Sequence, residues 1–153
     1  MAGVLDYLQG RGVIFTVIPR TAAPEDVRST APEELEVRTV VAIANDEPAL
    51  LVIPAGRALD GALVAAAVGD LEARLATEDE LTARFPDYEI GALPPLSMLL
   101  LTPMYVDRAV LERDEVVFCA GRTDIAVKMA TSDLVGNDPV VVAQLTTRET
   151  ADP

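Results

Sequence analysis

"LEVRTVVAIANDEPALLVIPA" runs from Leu35 to Ala55. Leu35–Ile43 is β-strand material, because Val37, Val40, Val41 and Ile43 bring the β-branched bulk that packs on a pleated surface. "NDEP" (Asn45–Pro48) supplies turn residues, and "ALLVIPA" (Ala49–Ala55) returns as a second apolar run. Two such runs joined by a short polar turn predict a hairpin. One residue does not fit. Arg38 stands in the middle of the first strand, and a charge taken from water without a partner is costly. It must reach solvent, pair with an acid such as Glu36 or Asp46, or meet an anion.

Outward from this hairpin, strands and short helices interleave without a regular βαβ period. On the N-terminal side, Val4–Gln9 reads as a short helix closed by Gly10 or Gly12, and Val13–Pro19 as a first strand. Thr21–Glu34 is polar, and its two prolines, Pro24 and Pro32, each precede acids, which suits two helical turns. On the C-terminal side, "GRALDGALVAAAVGD" reads as a loop and a helix with Leu59, Leu63, Val64 and Ala67 on one face. Thr77 and Glu80 have capping-box spacing ahead of the next helix. "PDYEIGALPPL" is a loop, "PMYVD" and "EVVFCAG" are strands, and "IAVKMATSDLVG" is a strand followed by a helical turn. "VVVAQL" closes the fold. The pattern predicts one mixed α+β domain over residues 1–147, with 148–153 as a tail.

Composition narrows the chemistry. Half of the 153 residues are apolar but only 4% are aromatic, so the core is aliphatic. The net charge is −13, from 12 cations against 25 acids, which argues against a broad nucleic-acid surface but not against a small cationic pocket. Lys128 is the single lysine. There is no histidine, which excludes every His-dependent triad and His-ligated zinc site. The one cysteine, Cys119, excludes an internal disulfide and reads as inert core. No apolar run is long enough to span a bilayer and the first residues do not read as a signal peptide, so a cytoplasmic location is expected.

The most specific local feature is Gly91-Ala92-Leu93-Pro94-Pro95. Glycine permits unusual φ and close backbone approach, and the prolines fix the loop while removing two donors. Such a loop is either a tight structural turn or a cradle that offers its remaining N–H groups to a carbonyl or carboxylate. Ser97, Thr102, Thr123 and Ser132 read as surface or turn hydroxyls, since no histidine is there to activate them. Asp124 and Asp133 read as solvated carboxylates, and no phosphate-binding glycine loop occurs.

Taken together, "VRTVV", "LLVIPAGRALD", "RLATEDELTARFPDYEIGALPPL", "PMYVD", "VVFCAGRTD" and "VKMATSDL" resemble, in order and spacing, the YbaK/prolyl-tRNA-synthetase-associated editing domains. These are freestanding or synthetase-inserted aminoacyl-tRNA deacylases. The resemblance spans about Val4 to Leu145 and implies a mixed, barrel-like sheet flanked by helices, with no metal or cofactor. It implies hydrolysis of the ester on mischarged tRNA, with the vicinal 2′-hydroxyl of the terminal adenosine helping to activate water. The Gly91–Pro95 loop would cradle the aminoacyl end through Gly91, Ala92, Leu93, Pro94 and Pro95. Arg38 stands where the family carries lysine, followed by Thr39, and would meet the terminal phosphate. Arg20 and the Gly121-Arg122-Thr123 segment stand where many relatives carry histidine, so Arg20, Gly121 and Thr123 are expected at the substrate. Ser97 replaces a common glycine. The implied partners are the aminoacyl-tRNA acceptor end and an aminoacyl-tRNA synthetase, and the oligomeric state is left open. If the family lysine only holds a phosphate, Arg38 can do so bidentately. If it exchanges a proton, Arg38 cannot, and the chain is a non-catalytic module that binds a ligand or a protein. Both alternatives stand on the sequence.

Overall fold

The hairpin forms where the sequence puts it. The computed structural model describes residues 3–19, 35–137 and 139–147. In it, β2 (Val37–Ala44) pairs antiparallel with β3 (Glu47–Pro54), from Val37 opposite Pro54 to Ala44 opposite Glu47. The turn is tighter than the sequence suggests. Asn45 and Asp46 alone make it, with φ of 53° and 67°, and the second strand begins at Glu47. Asparagine and aspartate tolerate this left-handed backbone, whose twist matches that of the strands. Asp70 braces the turn by accepting Asn45 N–H at 2.8 Å. The N–H groups of Asn45 and then of Glu72 hold the Asp70 carboxyl below its usual range.

Ahead of the hairpin, α1 (Val4–Gly10) closes at Gly12, whose φ is 72°, and leads into β1 (Phe15–Pro19). After it come β4 (Ala58–Leu59), α2 (Gly61–Val68), β5 (Arg74–Leu75), α3 (Glu78–Arg84) and α4 (Ser97–Leu100). Then follow β6 (Met104–Asp107), a 3-10 turn (Arg108–Glu112), β7 (Glu115–Cys119), β8 (Ile125–Ala130), α5 (Thr131–Asn137), β9 (Val141–Ala143) and β10 (Thr146–Thr147). One sheet has the order β5-β2-β3-β6-β9, a second β1-β8-β7, and β4 pairs with β10. Glu36 joins the two larger sheets through a parallel bridge to Val117. Its carbonyl also accepts Ala55 N–H and an Arg113 guanidinium N–H, both at 3.0 Å. The chain is thus a mixed α+β fold, as its pattern predicts.

The main core lies between the sheets. Val37, Val41, Leu50, Val52, Val116, Phe118, Val127 and Met129 contribute to it, and Leu93, Leu96 and Leu100 cover it. A smaller core under α2 holds Ala42, Leu51, Ile53, Val64 and Leu145. On the α2 face predicted to be apolar, Val64 is buried and Leu63 and Ala67 are half-buried; Leu59, expected on that helix, lies ahead of it in β4 and is half-buried. The capping box is present: Thr77 Oγ1 accepts Glu80 N–H at 3.2 Å, and Glu80 accepts Thr77 N–H at 2.9 Å. Arg74 meets Glu80 through two 2.8 Å hydrogen bonds, and that guanidinium, ahead of the Thr77 N–H, pulls the Glu80 carboxyl down to about 2.

Three expectations are corrected. "VVVAQL" (Val140–Leu145) is not strand throughout; only Val141–Ala143 forms β9, Leu145 is buried in the smaller core, and β10 begins beyond it at Thr146. Ser97 and Thr102 are not surface hydroxyls. Both are buried, Ser97 donating to Pro139 O at 3.0 Å and Thr102 to Leu100 O at 2.8 Å. Cys119 is half-buried at the end of β7, not deep core. The turns expected over Thr21–Glu34 and the 148–153 tail lie outside the described residues.

Candidate functional site

Two loops far apart in sequence are clamped together at one end of the main core. Gly91 takes a φ of +89° and Gly121 a φ of +91°. Gly91 has open space where a Cβ would stand, so only its backbone demands glycine. Gly121 has both constraints: a Cβ there would come within 3.0 Å of Tyr88 Cδ1. The two segments exchange hydrogen bonds. Gly121 N–H donates to Ala92 O and Glu89 N–H donates to Gly121 O, each at 2.9 Å. Ala92 N–H donates to Glu89 O at 3.0 Å, and Thr123 N–H donates to a Glu89 carboxylate oxygen at 2.6 Å. Gly91, Ala92, Leu93, Pro94, Pro95, Gly121 and Thr123 are therefore gathered in one place.

The loop is anchored from below. Ala92, Leu93, Pro94 and Pro95 are buried, while Gly91 is exposed. Ala92 N–H is committed to the loop itself. The N–H groups of Gly91 and Leu93 have no partner among the described residues. Both prolines lack a donor, so these two are what the loop has to offer. Beside the clamp, Tyr88, Gly121, Ala120, Arg122, Asp87 and Val4 help line a cavity of about 360 Å³. Burial, and then the charge of Asp87, push the Tyr88 phenol upward. Arg122 is paired with Asp124 at 3.0 and 2.8 Å.

Strand alternation divides Arg38 from Thr39. Val37 and Val41 face the main core, the one that holds Leu93, with Thr39 between them. Arg38 takes the opposite face with Val40 and Ala42, which pack on the smaller core. Its side chain is exposed and makes no hydrogen bond or ion pair among the described residues, so neither Glu36 nor Asp46 pairs with it. Thr39 Oγ1 is buried without a hydrogen-bond partner among the described residues. So Thr39, rather than Arg38, shares a face of the sheet with the loop. Arg20 lies outside the described residues.

Glu89 was not singled out in the sequence. Its signal, an acid two residues before the glycine of a proline-fixed loop, is faint among 25 acids. Among the described residues, no group of three or more Cys, Asp or Glu side chains is arranged to hold a metal ion, and no helix is long and apolar enough to cross a membrane.

Comparison with known proteins gives this geometry a relationship. The chain superposes on the crystal structure of hypothetical protein APE2540 with a TM-score of 0.81 at 22% identity, covering 94% of this chain and 99% of that one. It superposes on a candidate trans-editing enzyme for prolyl tRNA synthetase with a TM-score of 0.78 at 22% identity, covering 92% of each chain. At these identities the likeness concerns the fold. No curated protein matches the sequence. The family model for the aminoacyl-tRNA editing domain matches residues 19–136, a span that holds β2, the Gly91–Pro95 loop and the Gly121 turn. The chain belongs to the aminoacyl-tRNA editing domain family.

Proposed function

We propose that this protein hydrolyses the ester between a wrongly attached amino acid and the 3′ end of its tRNA. The observation that carries the reading is the clamp between the Gly91–Pro95 loop and the Gly121–Thr123 turn, which leaves the Gly91 and Leu93 N–H groups without a partner among the described residues. Preorganised donors of this kind stabilise the oxyanion of acyl transfer. No histidine exists to activate a hydroxyl, so the nucleophile is water. Its oxygen attacks the ester carbonyl carbon with help from the vicinal 2′-hydroxyl. The bond from that carbon to the ribose oxygen breaks, and the ribose oxygen takes up the proton. Such a substrate-assisted route asks the protein chiefly for positioning.

Each candidate then has a role suited to its place. Ala92, Leu93, Pro94 and Pro95 hold the loop rigid over the core. Thr39 supplies a hydroxyl on the loop's side of the sheet. Arg38, exposed and without a partner among the described residues, suits a phosphate of the acceptor end better than the reacting ester, with Arg20 as a second cation for the same strand of tRNA. With a net charge of −13, few phosphates are contacted, and a synthetase that hands over the charged tRNA would supply the missing affinity.

The second reading, a module that holds an aminoacyl-adenosine-like ligand or a protein without reacting, is favoured by one observation: Arg38 takes the sheet face opposite that of the loop. Single-turnover hydrolysis of a panel of mischarged tRNAs separates the two. Hydrolysis of at least one mischarged pair is expected. Arg38→Ala should slow it by about tenfold or more, the loss of a charge-assisted hydrogen bond to phosphate. Arg38→Lys should keep or raise the rate. No hydrolysis of any pair leaves the second reading.

A further inference from the structure

Glu89 stands two residues before Gly91 and bonds to the opposite turn twice, through its backbone N–H to Gly121 O and through one carboxylate oxygen to Thr123 N–H at 2.6 Å. That short contact fixes the direction of an otherwise exposed side chain. Among the described residues the carboxylate has no other partner. The cation of the turn does not neutralise it, because Arg122 is engaged by Asp124 through Nε and a terminal nitrogen. A negative charge with open acceptor sites is therefore held at the same clamp as the free N–H groups of Gly91 and Leu93.

An aminoacyl ester carries the complementary pair on adjacent atoms. Its carbonyl oxygen only accepts hydrogen bonds, while its α-ammonium only donates them and is positively charged. We infer that Glu89 reads the free α-ammonium of the aminoacyl group, so that the site takes aminoacyl esters and rejects those whose amine is blocked, as in formylated or peptidyl forms. The inference rests on the deacylase reading for where the aminoacyl end lies. A blocked amine brings neither the charge nor the donors, and puts an acyl group against a carboxylate.

The test uses an amide-linked analogue that cannot hydrolyse, 3′-(alanylamino)-3′-deoxyadenosine, and its N-acetyl counterpart, titrated calorimetrically into the whole chain. The free amine should bind about tenfold more tightly, the lower end for a charge-assisted bond at an exposed carboxylate. Glu89→Gln keeps an oxygen for Thr123 N–H and removes the charge. It should cut the preference to about twofold or less while N-acetyl affinity and Thr123 amide exchange stay at the parent level. Equal binding of the two analogues by the parent, binding of neither, or a preference undiminished in Glu89→Gln overturns the inference. Deacylation is read separately. A parent that hydrolyses N-acetyl-aminoacyl-tRNA and aminoacyl-tRNA equally well refutes the role of Glu89 and leaves the deacylase standing. A parent that hydrolyses nothing but still binds the free amine selectively refutes the deacylase alone.

Discussion

Asp107 and Glu89 are both carboxylates that accept backbone N–H groups, and they behave oppositely. Asp107, at the end of β6, is 1% exposed. Its Oδ1 accepts Leu145 N–H at 2.7 Å and Thr146 N–H at 3.1 Å. Its Oδ2 accepts the Thr146 hydroxyl at 3.0 Å and Ala109 N–H at 3.2 Å. Arg57 extends the network by donating Nε–H to Thr146 Oγ1 at 2.7 Å. Nothing is left over. Asp107 ties β6, the 3-10 turn and the β4–β10 pair into one corner. Glu89 has one such bond, an exposed side chain and a place beside the loop proposed to hold the substrate. In a chain with 25 acids, negative charge says little about role. What separates a structural carboxylate from one open to a ligand is the hydrogen-bonding capacity the fold leaves unused.

The strongest test of that contrast removes the saturated carboxylate. Asp107→Ala leaves the Leu145 and Thr146 N–H groups buried without an acceptor, and should cost about 3 kcal/mol or more in urea unfolding. Glu89→Ala should cost under about 0.5 kcal/mol, as exposed substitutions do. Equal costs would break the comparison, because saturation would then not mark the structural residue.

Next in size is Gly121→Ala, which separates the stability of the clamp from its geometry. At a φ of +91°, with Tyr88 Cδ1 at 3.0 Å from the new Cβ, strain of about 1–3 kcal/mol is expected. The Tyr88 ring must move, and it is only three residues from Gly91. Unfolding should show the loss, and single-turnover deacylation should fall by about tenfold. A variant as active as the parent would mean that the clamp does not set the loop's catalytic geometry.

The same contrast explains what the sequence could disclose. The β2–β3 hairpin, the Thr77–Glu80 capping box and the Gly91–Pro95 loop are local: adjacent residues determine them, so their chemistry is legible in order along the chain. The β4–β10 pair is not. Two residues at Ala58–Leu59 meet two at Thr146–Thr147, too short for any periodicity, and the Asp107 carboxylate holds Thr146 from 39 residues away. The short helix α4 was hidden for another reason. "SMLLL" is apolar after its serine and too brief for a 3.6-residue pattern to emerge. At the site, the loop was legible from its own glycine and prolines, and the Gly121 turn only through family likeness. Their joining through Glu89 depends on a carboxylate meeting a backbone N–H 34 residues away, which no sequence spacing encodes. The alternation that sends Arg38 and Thr39 to opposite faces was implicit in the strand itself. What one sequence did not disclose was which face would carry the loop.

The smallest expected effect concerns Thr39, and its sign matters more than its size. Its Oγ1 is buried with no hydrogen-bond partner among the described residues, on the face of β2 that carries the main core. A buried hydroxyl without a partner costs about 1–3 kcal/mol relative to a satisfied one. Thr39→Val replaces that hydroxyl by a methyl group of similar shape in a β-strand, where valine is at least as well suited. Stability should therefore rise, by about 1 kcal/mol, read as a higher urea midpoint with an unchanged slope. If the hydroxyl is held ready for the aminoacyl or ribose end, the same variant should deacylate more slowly, so stability and activity move in opposite directions. A purely structural residue would move only the first. Thr131 supplies the control, since its Oγ1 is also buried and without a partner among the described residues, at the start of α5 and outside the predicted site. Thr131→Val should leave deacylation at the parent rate. If Thr39→Val and Thr131→Val both leave activity untouched, Thr39 belongs with Asp107 among residues of the fold. Gly91, Leu93 and Glu89 would then be the side of the site that meets the aminoacyl group.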